Sequence, residues 1–137
     1  MPSQAVIVIP TYNEIENIGP LLIHLIDRTL PAVDNWELHI LVVDGRSTDG
    51  TTEVVQSMSQ RSDRVHLLVE RDKEGLGAAY WKGFVWAVEY LNADVLIEFD
   101  ADFQHPPEAI PVMLECVEQG ADLVLGSRRI KGGSYPA

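Results

Sequence analysis

Val95-Leu96-Ile97-Glu98-Phe99-Asp100-Ala101-Asp102-Phe103-Gln104-His105-Pro106-Pro107 is the stretch on which the reading of this chain turns. Its first five residues form an apolar run of strand length, which passes directly into two carboxylates at i and i+2, and the two prolines then open a helical pattern. Working outward, apolar runs of similar length recur at Ala5 to Ile9, Leu38 to Val43, Val65 to Val69 and Leu123 to Leu125, with helical patterns between them. This strand-helix alternation predicts an α/β domain with a mostly parallel sheet and helices on both faces, because parallel neighbours need a crossover. Ligands should then collect at the carboxyl ends of the strands.

Helix boundaries carry their own signals. Asn13 precedes Glu16 by three residues in the manner of a capping box, and Ser47, Thr48 or Asp49 can cap a helix from Thr51. Pro106 and Pro107 suit a helix start, and Gly120 suits a left-handed carboxyl cap.

Composition sets outer limits. With 137 residues, 46% of them hydrophobic, the chain has the size and apolar content of one domain. A formal net charge of -11 opposes nucleic-acid binding, which relies on clustered Lys and Arg. Cys116 is the only cysteine, and the amino terminus lacks the basic and long apolar stretches of a secretory signal, so a reducing, cytoplasmic setting is expected. His24, Asp27, Glu98 and Asp100 interrupt the longest apolar stretches, leaving no run of about 18 that would span a bilayer. The polar, glycine-rich end from Ser127 to Ala137 reads as a loop, so the chain is expected to be the front part of a longer protein.

Chemistry is concentrated where strands end. In an extended chain Asp100 and Asp102 share a face and can hold a hard cation such as Mg2+ or Mn2+, with Gln104 continuing the spacing as a third oxygen ligand. Taken alone, an Asp-x-Asp is more often a solvated turn; its position after a buried strand favours the metal reading. Asp44 ends another apolar run in Val42-Val43-Asp44-Gly45, where it can accept hydrogen bonds from uracil or guanine or simply form a turn. Pro10-Thr11-Tyr12-Asn13-Glu14 puts an aromatic ring and polar groups at the same edge, where a nucleoside can lie and Asn13 can also serve as a helix cap. Gly75-Leu76-Gly77-Ala78-Ala79-Tyr80 resembles the start of a dinucleotide fingerprint, but Tyr80 stands where its third small residue belongs, and the motif follows the third strand. A dehydrogenase is rejected on that ground, and Gly77 is read as permitting close backbone approach to the site. Arg71 and Lys73 read as surface charge with a secondary option on phosphate, the aromatic set from Tyr80 to Trp86 and Cys116 as packing, and His105 as a turn residue. His24, His39 and His66 show no metal-ligand spacing.

Taken together, Val8-Ile9-Pro10-Thr11-Tyr12-Asn13-Glu14, Val42-Val43-Asp44, Asp49-Gly50-Thr51, Gly75-Leu76-Gly77, Asp100-Ala101-Asp102 and Gly126-Ser127-Arg128 resemble the family-2 glycosyltransferases. The strings Gly-Leu-Gly-x-Ala-Tyr and Asp-Ala-Asp-Phe-Gln-His-Pro-Pro look most like the polyprenyl-phosphate (dolichyl-phosphate) mannosyl- or glucosyltransferases. The resemblance implies a GT-A nucleotide-diphosphosugar fold whose donor-binding part spans residues 1–137, with the acceptor part missing. It implies Pro10, Tyr12, Glu14, Asp44 and Gly77 around the nucleotide, Asp100, Asp102 and Gln104 at a Mg2+ or Mn2+ ion, and Arg128 near phosphate. It also implies inverting transfer from GDP-mannose or UDP-glucose to a polyprenyl phosphate, with membrane contact that is peripheral or made through segments beyond residue 137. Such relatives often carry a second acidic residue where this chain has Gly45. The competing readings are a sugar-to-sugar transferase of the same family and a noncatalytic nucleotide-binding α/β module. A receiver-like module would need an acidic pair after the first strand, where this chain has Thr11 and Tyr12.

Overall fold

The computed structural model describes residues 3–126. Four strands, β1 (Ser3–Thr11), β2 (Trp36–Asp44), β3 (Val65–Val69) and β4 (Val95–Glu98), form one parallel sheet in the order β3-β2-β1-β4. Between them run α1 (Ile15–His24), α2 (Thr51–Arg61) and α3 (Leu76–Leu91), and α4 (Ala109–Glu118) follows the last strand. A π-helical turn over Leu25–Thr29 and a short 3-10 turn over Leu30–Ala32 extend α1.

Period-two alternation divides the buried side chains of the strands between two cores. Ala5, Ile7 and Ile9 of β1 with Leu38, Ile40 and Val42 of β2 face α1, α2 and α4, meeting Leu21, Leu22, Val55, Ile110 and Leu114. Val6 and Val8 with Leu41 and Val43 face α3, meeting Ala79, Tyr80 and Ala87. Strands buried on both faces read as near-continuous apolar runs, which is why β1 and β2 were legible. Helix α3 lies so close to the sheet that a Cβ on Gly83 would stand 2.5 Å from Val8 Cγ1 and 2.9 Å from Val43 Cγ2. Only glycine fits that contact.

The first two crossovers move the chain from β1 to β2 to β3, and the third returns it past β1 to β4. The order therefore reverses between β1 and β4, where open α/β sheets form a ligand crevice at their carboxyl ends.

Several expectations are corrected. Leu123 to Leu125 form no strand: both leucines are largely exposed and pair with no edge in the described residues. Three apolar residues without a paired neighbour satisfy neither their backbone groups nor their side chains. Asn13 does not cap α1. It takes a left-handed conformation (φ 53°), and its side chain accepts the Thr48 N–H at 2.8 Å, while Glu14 occupies the cap position without a side-chain cap bond. Pro106 and Pro107 lie in the turn before α4, where their carbonyls accept from Ala109 and Ile110. Gly50, left-handed at φ 104°, and none of Ser47, Thr48 or Asp49, takes the cap position of α2, although Asp49 Oδ1 accepts the Thr51 N–H; Gly120 is left-handed (φ 106°) just past α4 as expected.

Candidate active site at the carboxyl edge of the sheet

Asp44 stands at the end of β2, fully buried, and receives four hydrogen bonds. Thr11 Oγ1 and Ser47 Oγ donate to Oδ1 at 2.7 and 2.6 Å; Ser47 N and Thr52 Oγ1 donate to Oδ2 at 3.0 and 2.6 Å. Burial alone would push this carboxyl up, but the bonds from Ser47, Thr52 and Thr11 together outweigh it and hold it below its ordinary value. The residue thus ties the end of β1, the loop after β2 and the first turn of α2 into one rigid unit. Its two carboxylate oxygens are thus already engaged by four donors of the framework.

The loop after β1 is fastened to the same unit. Asn13 N–H donates to Ser47 Oγ, Glu14 N–H to Thr51 Oγ1 and Ile15 N–H to Asp49 Oδ2. These bonds present Tyr12, 45% exposed, at the edge of the sheet. Lys73 Nζ sits 3.1 Å from the centre of the Tyr12 ring, an attractive cation-π contact, and its side-chain stem covers Gly45. Pro10, half-buried, is the last residue but one of β1, paired in register with Val43. Glu14 Oε2 accepts from Asn17 at 3.2 Å. Gly77 lies exposed in the first turn of α3 with nothing within 4 Å of a notional Cβ, so no contact among the described residues requires a glycine there.

At β4 the strand ends at Glu98, yet Phe99 N–H still donates to Val8 O at 3.1 Å. Phe99 and Ala101 are buried in the core while Asp100 is half-buried and Asp102 exposed, so the two carboxylates emerge on the side away from that core. The alternation expected of a strand persists, but Asp102 already belongs to a turn in which Phe103 is left-handed (φ 61°). Within that turn the Gln104 backbone N–H donates to Asp102 Oδ1 at 3.0 Å.

Tyr80, from the first turns of α3, donates its hydroxyl to Asp100 Oδ1 at 2.8 Å. Burial and this bond raise its ionisation far above the ordinary phenol range, so it remains a neutral donor. His105 Nδ1 accepts the Asp100 N–H at 3.2 Å, and Nε2 lies 3.6 Å from Asp100 Oδ2. Two side chains, Tyr80 and His105, therefore flank the Asp100 carboxylate, and His105 also holds its backbone N–H. Neither the Tyr80 hydroxyl nor the His105 ring is legible as its support in the sequence, because neither lies in periodic register with it.

No group of three or more His, Cys, Asp or Glu side chains able to hold a metal is assembled among the described residues. Two outward carboxylates beside an open crevice still fit Mg2+ or Mn2+, which are usually bound through one or two carboxylates while water and substrate phosphates complete the shell. Arg128, the remaining candidate, lies outside the described residues. Among those residues no helix is long and apolar enough to cross a membrane.

A family model described as glycosyl transferase family 2 matches residues 6–136. The chain belongs to this family. It is 43% identical over 97% of its length to a polyprenol monophosphomannose synthase of Mycolicibacterium smegmatis, of which it covers 48%. It is 45% identical over 92% of its length to an undecaprenyl-phosphate mannosyltransferase of Micrococcus luteus, covering 49% of that protein. The glycosyltransferase chain thus spans about half the length of these curated relatives. Among solved structures it resembles a mannosyltransferase from Pyrobaculum calidifontis in complex with GDP-Man and Mn2+, with a TM-score of 0.57 and 25% identity over 74% of this chain and 28% of that one. A glucosyl-3-phosphoglycerate synthase from Mycobacterium tuberculosis shares the fold, with a TM-score of 0.61 over 84% of this chain and 39% of that one at 19% identity. The expected GT-A architecture is confirmed.

Proposed function

We propose that this glycosyltransferase chain binds a nucleoside-diphosphate sugar, with mannose ahead of glucose as the sugar, and forms the donor half of an enzyme that transfers it with inversion to a polyprenyl phosphate at the cytoplasmic face of a membrane. The single observation that carries the reading is the pair Asp100 and Asp102 emerging at the switch point between β1 and β4, with Asp100 held by Tyr80 and His105. The mannosyltransferase names of its relatives support the sugar and the acceptor class.

In this reading the nucleoside lies along the edge made by Pro10, Tyr12 and Glu14, framed by the Asp44 unit, and the diphosphate reaches Asp100 and Asp102. Those two carboxylates, with Gln104 beside them, would hold Mg2+ or Mn2+, which supplies charge neutralisation for the departing diphosphate. Tyr80 and His105 fix the Asp100 carboxylate in advance, so little reorganisation is needed as charge builds. Arg128 is assigned to the same phosphates. A lipid phosphate is ionised near neutral pH and attacks without a protein base. A sugar hydroxyl would need such a base.

Thermal melts with GDP, UDP, ADP, GDP-mannose and UDP-glucose, each with Mn2+ or EDTA, test the donor half. Ligand at ten times its Kd stabilises by about 1.4 kcal/mol, enough to raise Tm by several degrees. A rise with GDP or UDP and their sugars only in Mn2+ is expected. Equal rises in EDTA, or a rise with ADP as large as the others, would contradict the proposal.

A further inference from the structure

Glu70 is 3% exposed, and its Oε1 is a fully buried side-chain oxygen with no hydrogen-bond partner. An unpartnered buried acceptor of this kind is rare and costly. Its position is defined by the sheet. The ladder pairs Asp44 with Val69 and continues as Glu70 N–H donates to Asp44 O at 2.8 Å, which sets Glu70 beside Gly45 across β2 and β3. By alternation Glu70 follows Leu68, and Gly45 follows Val43, on the α3 side of the sheet. Gly45 offers no side chain there; a Cβ on it would meet the stem of Lys73 at 3.4 Å and Thr11 O at 3.5 Å, and the Lys73 ammonium lies over the Tyr12 ring.

We infer that Glu70 is the residue that selects the nucleobase, and that it selects guanine. The inference rests on the donor-binding reading above and deepens it. An aromatic ring just past β1 (Tyr12) and an acceptor oxygen and a cation just past β3 (Glu70 and Lys73) match the stacking face, the N1–H and N2–H2 donors and the O6 carbonyl of guanine. Uracil offers a carboxylate a single N–H, flanked by two carbonyl oxygens, where guanine offers two adjacent donors. The span from β3 to β4 is three strand spacings, about 14 Å, so the base and the diphosphate at Asp100 occupy opposite ends of one crevice. Asp44, with its four donors, leaves this role open to its neighbour.

Calorimetric titration of the chain with GDP, IDP and UDP in Mn2+ tests the assignment, because IDP differs from GDP only in lacking the N2 amino group. The wild type should bind GDP at least tenfold more tightly than IDP or UDP. In Glu70→Gln, which preserves shape, GDP should weaken at least tenfold and the GDP-to-IDP ratio should fall towards one. Glu70→Asp, which withdraws the oxygen by one methylene, should act in the same direction if the glutamine variant folds poorly, and the ratio within each protein is independent of the fraction folded. Equal wild-type binding of GDP and UDP, or a GDP-to-IDP ratio unchanged in the variants, would overturn the role of Glu70 while leaving the donor site standing. Absence of binding by every nucleotide would instead overturn the donor-site reading and this inference with it.

Discussion

Replacing Asp44 separates a framework role from a direct ligand contact. In Asp44→Asn the amide can turn its NH2 towards Thr11 Oγ1 and Ser47 Oγ, hydroxyls that can rotate to accept, while its oxygen keeps the Ser47 N–H and the Thr52 hydroxyl. What is lost is charge assistance, about 1 to 2 kcal/mol. Asp44→Ala removes all four acceptor contacts and leaves the Ser47 N–H without its partner, for about 3 to 5 kcal/mol. Urea unfolding at pH 7 should therefore order the proteins wild type, Asn, Ala. The acid limb adds a signed test. The folded carboxyl titrates below its ordinary value of 3.8, so its contribution is complete above that pH and is lost as pH falls through the folded value. The gap between wild type and Asp44→Asn should close below about pH 4. An alanine variant that unfolds like wild type but loses nucleotide binding would refute the framework role and return Asp44 to the base.

Three further outcomes follow from the packing and the site. Gly83→Ala drives a methyl into Val8 and Val43 and should destabilise by about 1 to 3 kcal/mol through overpacking, with a lower Tm; an unchanged melt would mean α3 is not so closely seated. Tyr80→Phe removes the donor to Asp100 Oδ1 and should weaken Mn2+-dependent nucleotide binding several-fold at a stability cost of about 1 kcal/mol, and unaltered titrations would show that the hydroxyl does not position the carboxylate. His39 and His66, hydrogen-bonded at 2.9 Å, are both held below the ordinary value of 6.5, first by burial, so the unfolded chain takes up their protons more readily and stability should decline as pH falls below about 6.5. His39→Gln should flatten that decline in urea unfolding between pH 5 and 7; an unchanged slope would contradict it.

How much of this was legible depends on range. Strands β1 and β2 announce themselves because both faces are buried and the apolar run is continuous, and the parallel order follows from the helices between them. Leu123 to Leu125 carry the same local signal but find no partner among the described residues, which no three-residue run discloses. At the site, Asp100 and Asp102 were legible because their spacing survives the end of the strand as alternation in burial. Asp44 was found at the right place, but the direction of its carboxylate depends on Thr11 and Thr52, 33 and 8 residues away. Asn13 illustrates the same limit, since Thr48 takes the side chain that local spacing assigns to its own helix. Glu70 gave no signal, because its burial and its place beside Gly45 arise only when β3 pairs with β2.

The most direct test of the account is calorimetric titration of GDP-mannose into wild type and Asp102→Asn, each in Mn2+ and in EDTA. Asp102 projects into solvent and its Oδ1 takes one local N–H, so the exchange should leave the fold intact while replacing a hard-cation ligand with a weaker one. Wild type should bind in Mn2+ and not in EDTA, and Asp102→Asn should lose at least tenfold in Mn2+, about 1.4 kcal/mol. Equal affinities for the two proteins, or wild-type binding indifferent to EDTA, would contradict a metal-mediated donor site at the end of β4.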